Sequence, residues 1–153
     1  MKAIGKTLVV LFSVMFLGPF PLFAGVEEGD AGVQFAGMDD GWNVPEEARR
    51  QENPIRYDVG SVMQGKSLFD KHCLVCHGYW GEGNGIVGLA LDNQPANLLK
   101  LAGKQSEGTF AWKIANGKGD MPAFGEELDE DQIWTLVNFV DSLENEEGTL
   151  VDE

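Results

Sequence analysis

The sequence has few cysteines, few histidines and few basic residues, and each shortage narrows the possible classes of protein. Its 153 residues include two cysteines, Cys73 and Cys76, which are too few for a disulfide framework. The 11 basic residues stand against 25 acidic ones, which argues against nucleic-acid binding because that binding needs Lys and Arg facing the phosphates. No window alternates between apolar and polar residues as a strand would. The length and the mixed composition fit one domain and exclude collagen-like and low-complexity chains.

Residues 1–24 are predicted to form a cleaved export signal. Two lysines precede an uncharged run, residues 7–24, which ends in small residues at the expected cleavage site. An uncleaved membrane anchor is the alternative, since the 18 uncharged residues reach the lower limit for spanning a bilayer. Two prolines shorten the usable helix and favour cleavage. In either case the rest of the chain is expected in the periplasm, tethered to the membrane if the signal is retained.

The exported part of the chain is strongly acidic. Removal of residues 1–24 takes away two lysines and no acids, which leaves 9 basic and 25 acidic residues and a net charge of −16. Such a charge steers a small protein toward a partner with a basic docking surface, and it also confers solubility without any partner. Both interpretations stay open.

Three regions are predicted after the signal. Residues 25–57 form an acidic, glycine-rich tether that continues from Trp42 as an extended arm, whose large apolar residues are expected to lie against the domain. Residues 58–147 form the domain itself, and residues 148–153 form an acidic tail.

The first predicted helix of the domain begins near Ser61. Ser61 and Gln64 have the spacing of a capping box, and apolar residues recur after them at helical spacing as far as Cys76. Gly65 lies inside this helix, where glycine costs about 1 kcal/mol relative to alanine. We therefore expect a second helix to cross closely at Gly65.

Two further helices are predicted downstream. Ser106 is expected to cap the shorter one, which ends at Asn116-Gly117. Asp129 is expected to cap the C-terminal one, with Gln132 at its third position and an apolar stripe that runs to Leu143. The chain is thus predicted to be all-α, with short helices joined by loops.

The chemistry lies in the sequence C-L-V-C-H at residues 73–77. Two thiols three residues apart on a helix face one side, which suits thioether bonds to the two vinyl groups of a haem, and His77 can then ligate the iron. C-x-x-C-H is the attachment signature of c-type haem. The alternatives are a thioredoxin-like redox pair, which expects a βαβ context, a structural disulfide, and a zinc site, which needs about four ligands. We predict one haem c, attached covalently through Cys73 and Cys76.

The second axial ligand is predicted by elimination. His72 is the only other histidine, and it is expected on the same helical segment as His77, from which it cannot reach the opposite haem face. Met38 and Met63 precede the motif, whereas Met121 follows it in a loop flanked by glycine and proline. His77 and Met121 are therefore the predicted iron ligands, with a lysine ligand or an open position as the minority alternative. His/Met ligation leaves no vacant site for a substrate, which favours electron transfer over catalysis.

These residues resemble the class I c-type cytochromes, especially the single-haem domains related to subunit III of cbb3-type oxidases. The resemblance covers about residues 61–143, and it implies a cytochrome c fold of three to five short helices and loops wrapped around one covalently bound haem. The matching elements are Gly65, Phe69, residues 73–77, residues 95–98, residues 110–117, residues 121–124 and residues 134–143.

The resemblance also implies particular contacts. The N- and C-terminal helices would cross where Gly65 and Phe69 meet Phe139. His77 would be the proximal iron ligand and Met121 the distal one. The further haem-contacting residues implied are Pro95, whose carbonyl would accept the His77 ring N–H, and Trp112 and Ile114, which would line the pocket.

A second glycine pattern is interpreted as a loop. Residues 83–88 read G-x-G-x-x-G, but no predicted strand precedes them and no βαβ unit follows, so a dinucleotide site is rejected. The segment is expected to curve round one haem edge.

The function predicted from these features is that of a periplasmic electron-transfer cytochrome c, which is not itself an enzyme. It would shuttle single electrons between respiratory or dehydrogenase partners that present basic docking surfaces. A haem subunit of a larger oxidoreductase complex is the first alternative, and a ligand-binding or peroxidase-like haem protein is the second. Membrane contact is expected only through partners or an uncleaved anchor, and we expect a monomer.

Overall fold

Six α-helices and two 3-10 turns form the regular structure of residues 41–145, the part of the chain that the computed structural model describes. The predicted signal, the tether up to residue 40, Met38 and the predicted acidic tail lie outside the described residues. The helices are α1 (Glu46–Arg49), α2 (Val59–His72), α3 (Leu74–His77), α4 (Leu98–Leu101), α5 (Glu107–Asn116) and α6 (Glu130–Ser142), and the 3-10 turns are Gly88–Ala90 and Leu143–Asn145. Within this range no strand occurs, and a single isolated bridge pairs Lys118 with Met121. The prediction of an all-α fold is confirmed.

Helix α2 begins earlier than the sequence indicated. Asp58, and not Ser61, is its N-cap: the Asp58 carboxylate accepts from the Ser61 backbone N–H at 2.9 Å, and the Ser61 hydroxyl accepts from the Asp58 N–H at 3.1 Å. The predicted cap at Ser61 is wrong because a carboxylate three residues earlier takes the cap position, and the serine then completes the capping box from inside the helix.

The other two predicted helix starts are confirmed. The Ser106 hydroxyl accepts from the Thr109 N–H at 3.2 Å at the start of α5. At the start of α6, the Asp129 carboxylate accepts from the Gln132 N–H at 2.8 Å, and the Gln132 side chain accepts in return from the Asp129 N–H at 3.0 Å. Gly117 ends α5 with φ +60°, as the Asn-Gly pair predicted.

Helices α2 and α6 cross at the predicted glycine. A Cβ atom on Gly65 would lie 2.2 Å from the Thr135 carbonyl oxygen and 2.8 Å from the Phe139 Cβ, so the two backbones meet with no room for a side chain. One turn further along α2, the Phe69 ring lies 4.9 Å from the Phe139 ring, measured between centroids. The crossing therefore sets the position of the C-terminal end of α2, which leads directly into Cys73.

The core is built mainly by α6 and α5. All of α6 from Ile133 to Val140 is buried, including the polar side chain of Asn138. The Asn138 side-chain amide donates to the Ser61 hydroxyl at 3.0 Å and accepts from the Asn53 side chain at 2.8 Å. These bonds satisfy the buried amide and join α6 to the start of α2 and to the segment before it.

Residues 41–57 pack against the helices that follow them. Val44 and Ala48 are buried, and a Cβ on Gly108 of α5 would lie 2.0 Å from the Ala48 carbonyl oxygen. The Asn53 side chain also donates to the Trp134 carbonyl of α6 at 3.0 Å. Residues 41–145 all fall within one compact unit. Among the residues described, none of the helices combines the length and apolar character needed to span a bilayer.

Candidate functional site

The C-x-x-C-H segment forms its own turn after α2. Cys73 stands at the junction with φ −116° and ψ −32°, and its carbonyl accepts from the Cys76 N–H at 3.1 Å and the His77 N–H at 2.9 Å. The expectation that His72 and His77 share one helical segment is wrong, because this break separates α2 from α3.

The two cysteines are half-buried free thiols. Burial, together with the smaller effect of the Cys76 charge, raises the pKa of Cys73 to about 12. A redox-active pair needs a thiolate at neutral pH, so this environment argues against the thioredoxin-like alternative. Within residues 41–145, no group of three or more His, Cys, Asp or Glu side chains is arranged to hold a metal ion, so a zinc site lacks its ligand set.

The imidazole of His77 is oriented by a backbone carbonyl. Its Nδ1 lies 3.1 Å from the Ala96 oxygen. Because a carbonyl can only accept, Nδ1 carries the proton and Nε2 keeps its lone pair, as an iron ligand requires. Burial lowers the pKa of His77, partly offset by the bond to Ala96, and the neutral ring is the form that ligates a metal.

The acceptor predicted from the resemblance was Pro95, and that assignment is wrong by one residue. The Pro95 carbonyl is directed at Gly83, where a Cβ would lie 2.3 Å from its oxygen. The carbonyl of the next residue, Ala96, reaches the imidazole. The Pro95 ring packs instead close to Gly88, and its contact with a haem stays a prediction.

The glycine pattern at residues 83–88 lies against the attachment turn. The Gly85 N–H donates to the Cys76 carbonyl at 3.0 Å, and the Val87 N–H donates to the Val75 carbonyl at 3.0 Å. A Cβ on Gly85 would lie 2.4 Å from the Val75 oxygen, and one on Gly88 would lie 2.3 Å from the Cys76 oxygen. The glycines therefore let the loop backbone lie directly against the cysteine turn, which explains the pattern without a nucleotide.

Met121 is held at the end of a tight turn. The Lys118 N–H donates to the Met121 carbonyl at 2.9 Å and the Met121 N–H donates to the Lys118 carbonyl at 3.0 Å. Three residues later the Phe124 N–H donates to the Ile114 carbonyl at 3.0 Å, which fixes the loop on α5. The partly buried side chain of Met121 packs against the hydrophobic core.

Three of the predicted site residues belong to the hydrophobic core or pack against it, whereas Trp112 contacts the arm. Cys73 and Met121 are partly buried and pack against the hydrophobic core cluster, of which Ile114 is a member. Trp112 is half-buried and makes an edge-to-face contact with Trp42, with the ring centroids 6.3 Å apart. Their roles toward a haem stay predictions.

Of the two alternatives predicted for His72, surface or packing, the packing alternative is confirmed. His72 was expected at the surface or in packing, and its side chain is in fact 7% exposed, with Nδ1 at 3.3 Å from the Glu127 carboxylate. Its ring lies edge-on to Phe124, 5.9 Å away between centroids. The end of α2 is thereby joined to the loop that follows Met121. No sequence signal identified this contact, which joins residues more than 50 positions apart.

The donor set fits a covalently attached haem. Two unpaired thiols stand one turn apart, an imidazole keeps its Nε2 lone pair, and a thioether is available from a separate loop. A helical fold with a C-x-x-C-H turn and these donors defines a class I c-type cytochrome.

The comparison with protein families leads to the same class. Residues 60–140 match the model of the family described as cytochrome c oxidase, cbb3-type, subunit III, and the chain belongs to this family. The family carries a covalently bound haem c and transfers electrons, so the predictions of class, cofactor and electron-transfer role are confirmed. The haem c attachment points in this chain are Cys73 and Cys76.

The relatives match a similar share of this chain but different shares of their own length. Cytochrome c6 of Chlorolobion braunii is 36% identical over 76 residues, which are 50% of this chain and 83% of that protein. The cbb3-type cytochrome c oxidase subunit CcoP of Azospirillum sp. (strain B510) is 33% identical over 90 residues, which are 56% of this chain but 30% of CcoP. A chain of the reducing HAO-like protein complex of Kuenenia stuttgartiensis has a similar structure, with a TM-score of 0.53 and 25% identity over 59% of this chain and 46% of that one. The chain thus spans less than a third of the CcoP subunit that it matches.

Proposed function

We propose that this protein is a periplasmic carrier that shuttles single electrons between respiratory or dehydrogenase partners through a haem c ligated by His77 and Met121. The observation that carries the proposal is the bond from the His77 Nδ1–H to the Ala96 carbonyl at 3.1 Å. It holds the imidazole in the tautomer that ligates iron and fixes the plane of the ring. Met121 is the second ligand, presented from the turn that begins at Lys118.

The residues around the haem have separable tasks. When bound, the haem supplies the one-electron Fe(III)/Fe(II) couple. Cys73 and Cys76 would hold it covalently, and His77 and Met121 would both ligate the iron, which would leave no vacant site for a substrate. Ile114, Trp112 and Pro95 line the pocket and exclude water. A thioether ligand and a dry pocket both raise the reduction potential.

Electrons would enter and leave through an apolar surface beside the second cysteine. This surface consists of Val75, Ile86, Val87 and Leu89, whose side chains are 44%, 83%, 44% and 59% exposed. The hydrogen bond from the Val87 N–H to the Val75 carbonyl brings the two segments together. Exposed apolar patches of this kind mark interaction sites on soluble proteins.

The negative charge of the protein indicates which surfaces its partners present. A net charge of −16 after removal of the signal favours partners with a basic rim around an apolar contact. Such encounters are small and weak, and their association rate falls as salt screens the charges. We therefore expect a monomer that meets its partners transiently.

The ligation is tested by carbon monoxide. The reduced wild-type protein should be low-spin and six-coordinate and should not bind carbon monoxide readily, whereas Met121→Ala should bind it rapidly and have a lower reduction potential. Met63→Ala is the control, because Met63 is 66% exposed on α2 and should leave both properties unchanged. Rapid binding by the wild type would reject the ligation and favour the ligand-binding alternative.

A haem subunit of a larger oxidoreductase complex is the second candidate. It is favoured by the relatives, since CcoP is an oxidase subunit and the similar solved structure is a complex. Light scattering of the protein isolated from its native periplasmic fraction, coupled to size exclusion, separates the two functions. A carrier elutes with the mass of one chain, and a subunit elutes with its complex.

The same sample, analysed by intact mass, reports whether residues 1–24 have been removed.

A further inference from the structure

We propose that Trp42, in the arm before the haem domain, is a positioning residue for Met121 and acts through Lys118. The inference rests on the proposed ligation by Met121 and adds a residue that lies outside the matched family region, residues 60–140. The arm would then help to position an iron ligand, in addition to packing against the domain.

The first link joins the arm to Lys118. The Lys118 Nζ lies 5.4 Å from the centroid of the Trp42 ring, within the range of a cation–π contact. The same ammonium group donates a short hydrogen bond to the Gly41 carbonyl. A single side chain from the Met121 turn is therefore held by two successive residues of the arm.

The second link joins Lys118 to Met121. Their backbones exchange two hydrogen bonds, at 2.9 and 3.0 Å, across a turn of two residues. Lys118 is thus hydrogen-bonded directly to the backbone of the residue that carries the thioether, and displacement of one displaces the other.

The turn depends on contacts from outside itself. Gly117 and Gly119 have φ values of +60° and +59°, and open space surrounds Gly119. Glycine at these positions permits the turn but does little to restrict it. The Lys118 contacts to the arm supply a restraint at the start of the turn that the local sequence does not provide.

The arm is itself held in place by contacts with α5 and α6, so it can restrain the position of Lys118. Ala48 is buried where α1 meets Gly108 of α5, and the Asn53 side chain is hydrogen-bonded to α6. Trp42 also lies edge-on to Trp112 and 5.5 Å from the Nζ of Lys113 on α5. The indole is therefore fixed on α5 and holds Lys118 from that position.

The expected consequence concerns the iron–thioether bond. An external ligand binds at the iron only in the fraction of molecules whose methionine has dissociated, so its apparent affinity reports that fraction. If the contact between Trp42 and Lys118 is removed, the fraction of molecules with a dissociated Met121 rises. We expect the apparent affinity of the ferric protein for imidazole to increase about tenfold in Trp42→Ala.

The experiment is an imidazole titration of the ferric holoprotein, full chain, for six variants. Trp42→Ala and Lys118→Met should each tighten imidazole binding about tenfold, and the double variant should be no tighter than either one, because both act on a single link. Trp42→Phe, which keeps an aromatic face, should restore most of the wild-type affinity. Tyr57→Ala is the matched control, since it removes a half-exposed aromatic ring from the same arm and should change the affinity less than twofold.

Two failures can be told apart. The sixth variant, Met121→Ala, tests the underlying ligation: if it binds imidazole no more tightly than the wild type, Met121 is not the ligand and the proposed function fails. If Met121→Ala tightens binding but Trp42→Ala and Lys118→Met stay within twofold of the wild type, the proposed role of Trp42 is wrong and the ligation stands. Additive effects of the two substitutions would also overturn the role, since independent effects mean that Trp42 does not act through Lys118.

Discussion

Replacement of Gly65 by alanine tests the helix crossing that places the haem-attachment turn. Without tertiary contacts, alanine would stabilise α2 by about 1 kcal/mol relative to glycine. In the folded protein, the new methyl group would lie 2.2 Å from the Thr135 carbonyl oxygen and 2.8 Å from the Phe139 Cβ, and the carbonyl belongs to a helix that cannot move alone. Overpacking of a core costs about 1–3 kcal/mol, and the backbone contact puts this site at the upper end of that range. The net expectation is a loss of about 2 kcal/mol.

The assay is thermal unfolding of the holoprotein followed by far-ultraviolet circular dichroism. A loss of about 2 kcal/mol corresponds to a decrease in Tm of roughly 8–16 °C for a domain of this size. Gly60→Ala is the control in the same helix, because its new Cβ would come no closer than 3.2 Å to another element's or side chain's atom, the Asp58 capping oxygen. That variant should be as stable as the wild type or more stable. An unchanged or higher Tm for Gly65→Ala would refute the close crossing.

Three further predictions concern titration, a buried amide and the haem. Burial and neighbouring carboxylates raise the pKa of Asp141 from 3.8 to about 7, so the folded state loses stability as the pH rises between these two values. Asp141→Asn removes this loss. In urea unfolding it should stabilise the protein by about 1–2 kcal/mol at pH 8, after allowance for solvent screening, and by little at pH 4. Asn138→Ala should cost about 2–3 kcal/mol in the same assay, because it leaves buried partners unsatisfied. Cys73→Ala/Cys76→Ala should be largely unfolded by circular dichroism, since the haem supplies much of the interior of a small domain, and native-like helix content would contradict this.

The sequence predicted the features that depend on local chemistry. Capping by Ser106 and Asp129 depends on one side chain and a backbone N–H three residues away, so spacing alone identified both helix starts. Gly65 was recognised because a glycine inside an apolar helix has a cost that a close crossing explains. The C-x-x-C-H signature gave the haem and, with it, the class of protein.

The missed features depend on geometry between distant segments or on competition between similar residues. Asp58 and Ser61 are both good N-caps, and the structure uses Asp58 as the cap and Ser61 inside the capping box. The choice of Ala96 over Pro95 as the acceptor depends on the backbone conformation of an irregular loop, which residue types do not encode. The contact of His72 with Phe124 joins residues more than 50 positions apart.

The central claim is that a haem c in this protein is held between His77 and Met121, and the proton NMR spectrum of the reduced holoprotein tests it most directly. A methyl group bonded to a sulfur on the iron lies above the porphyrin ring and is shielded by its ring current. The account predicts one three-proton methionine signal far upfield of all other methyl groups, and its loss in Met121→Leu with Met63→Leu unchanged. A wild-type spectrum without such a signal, or a signal that persists in Met121→Leu, would contradict the account.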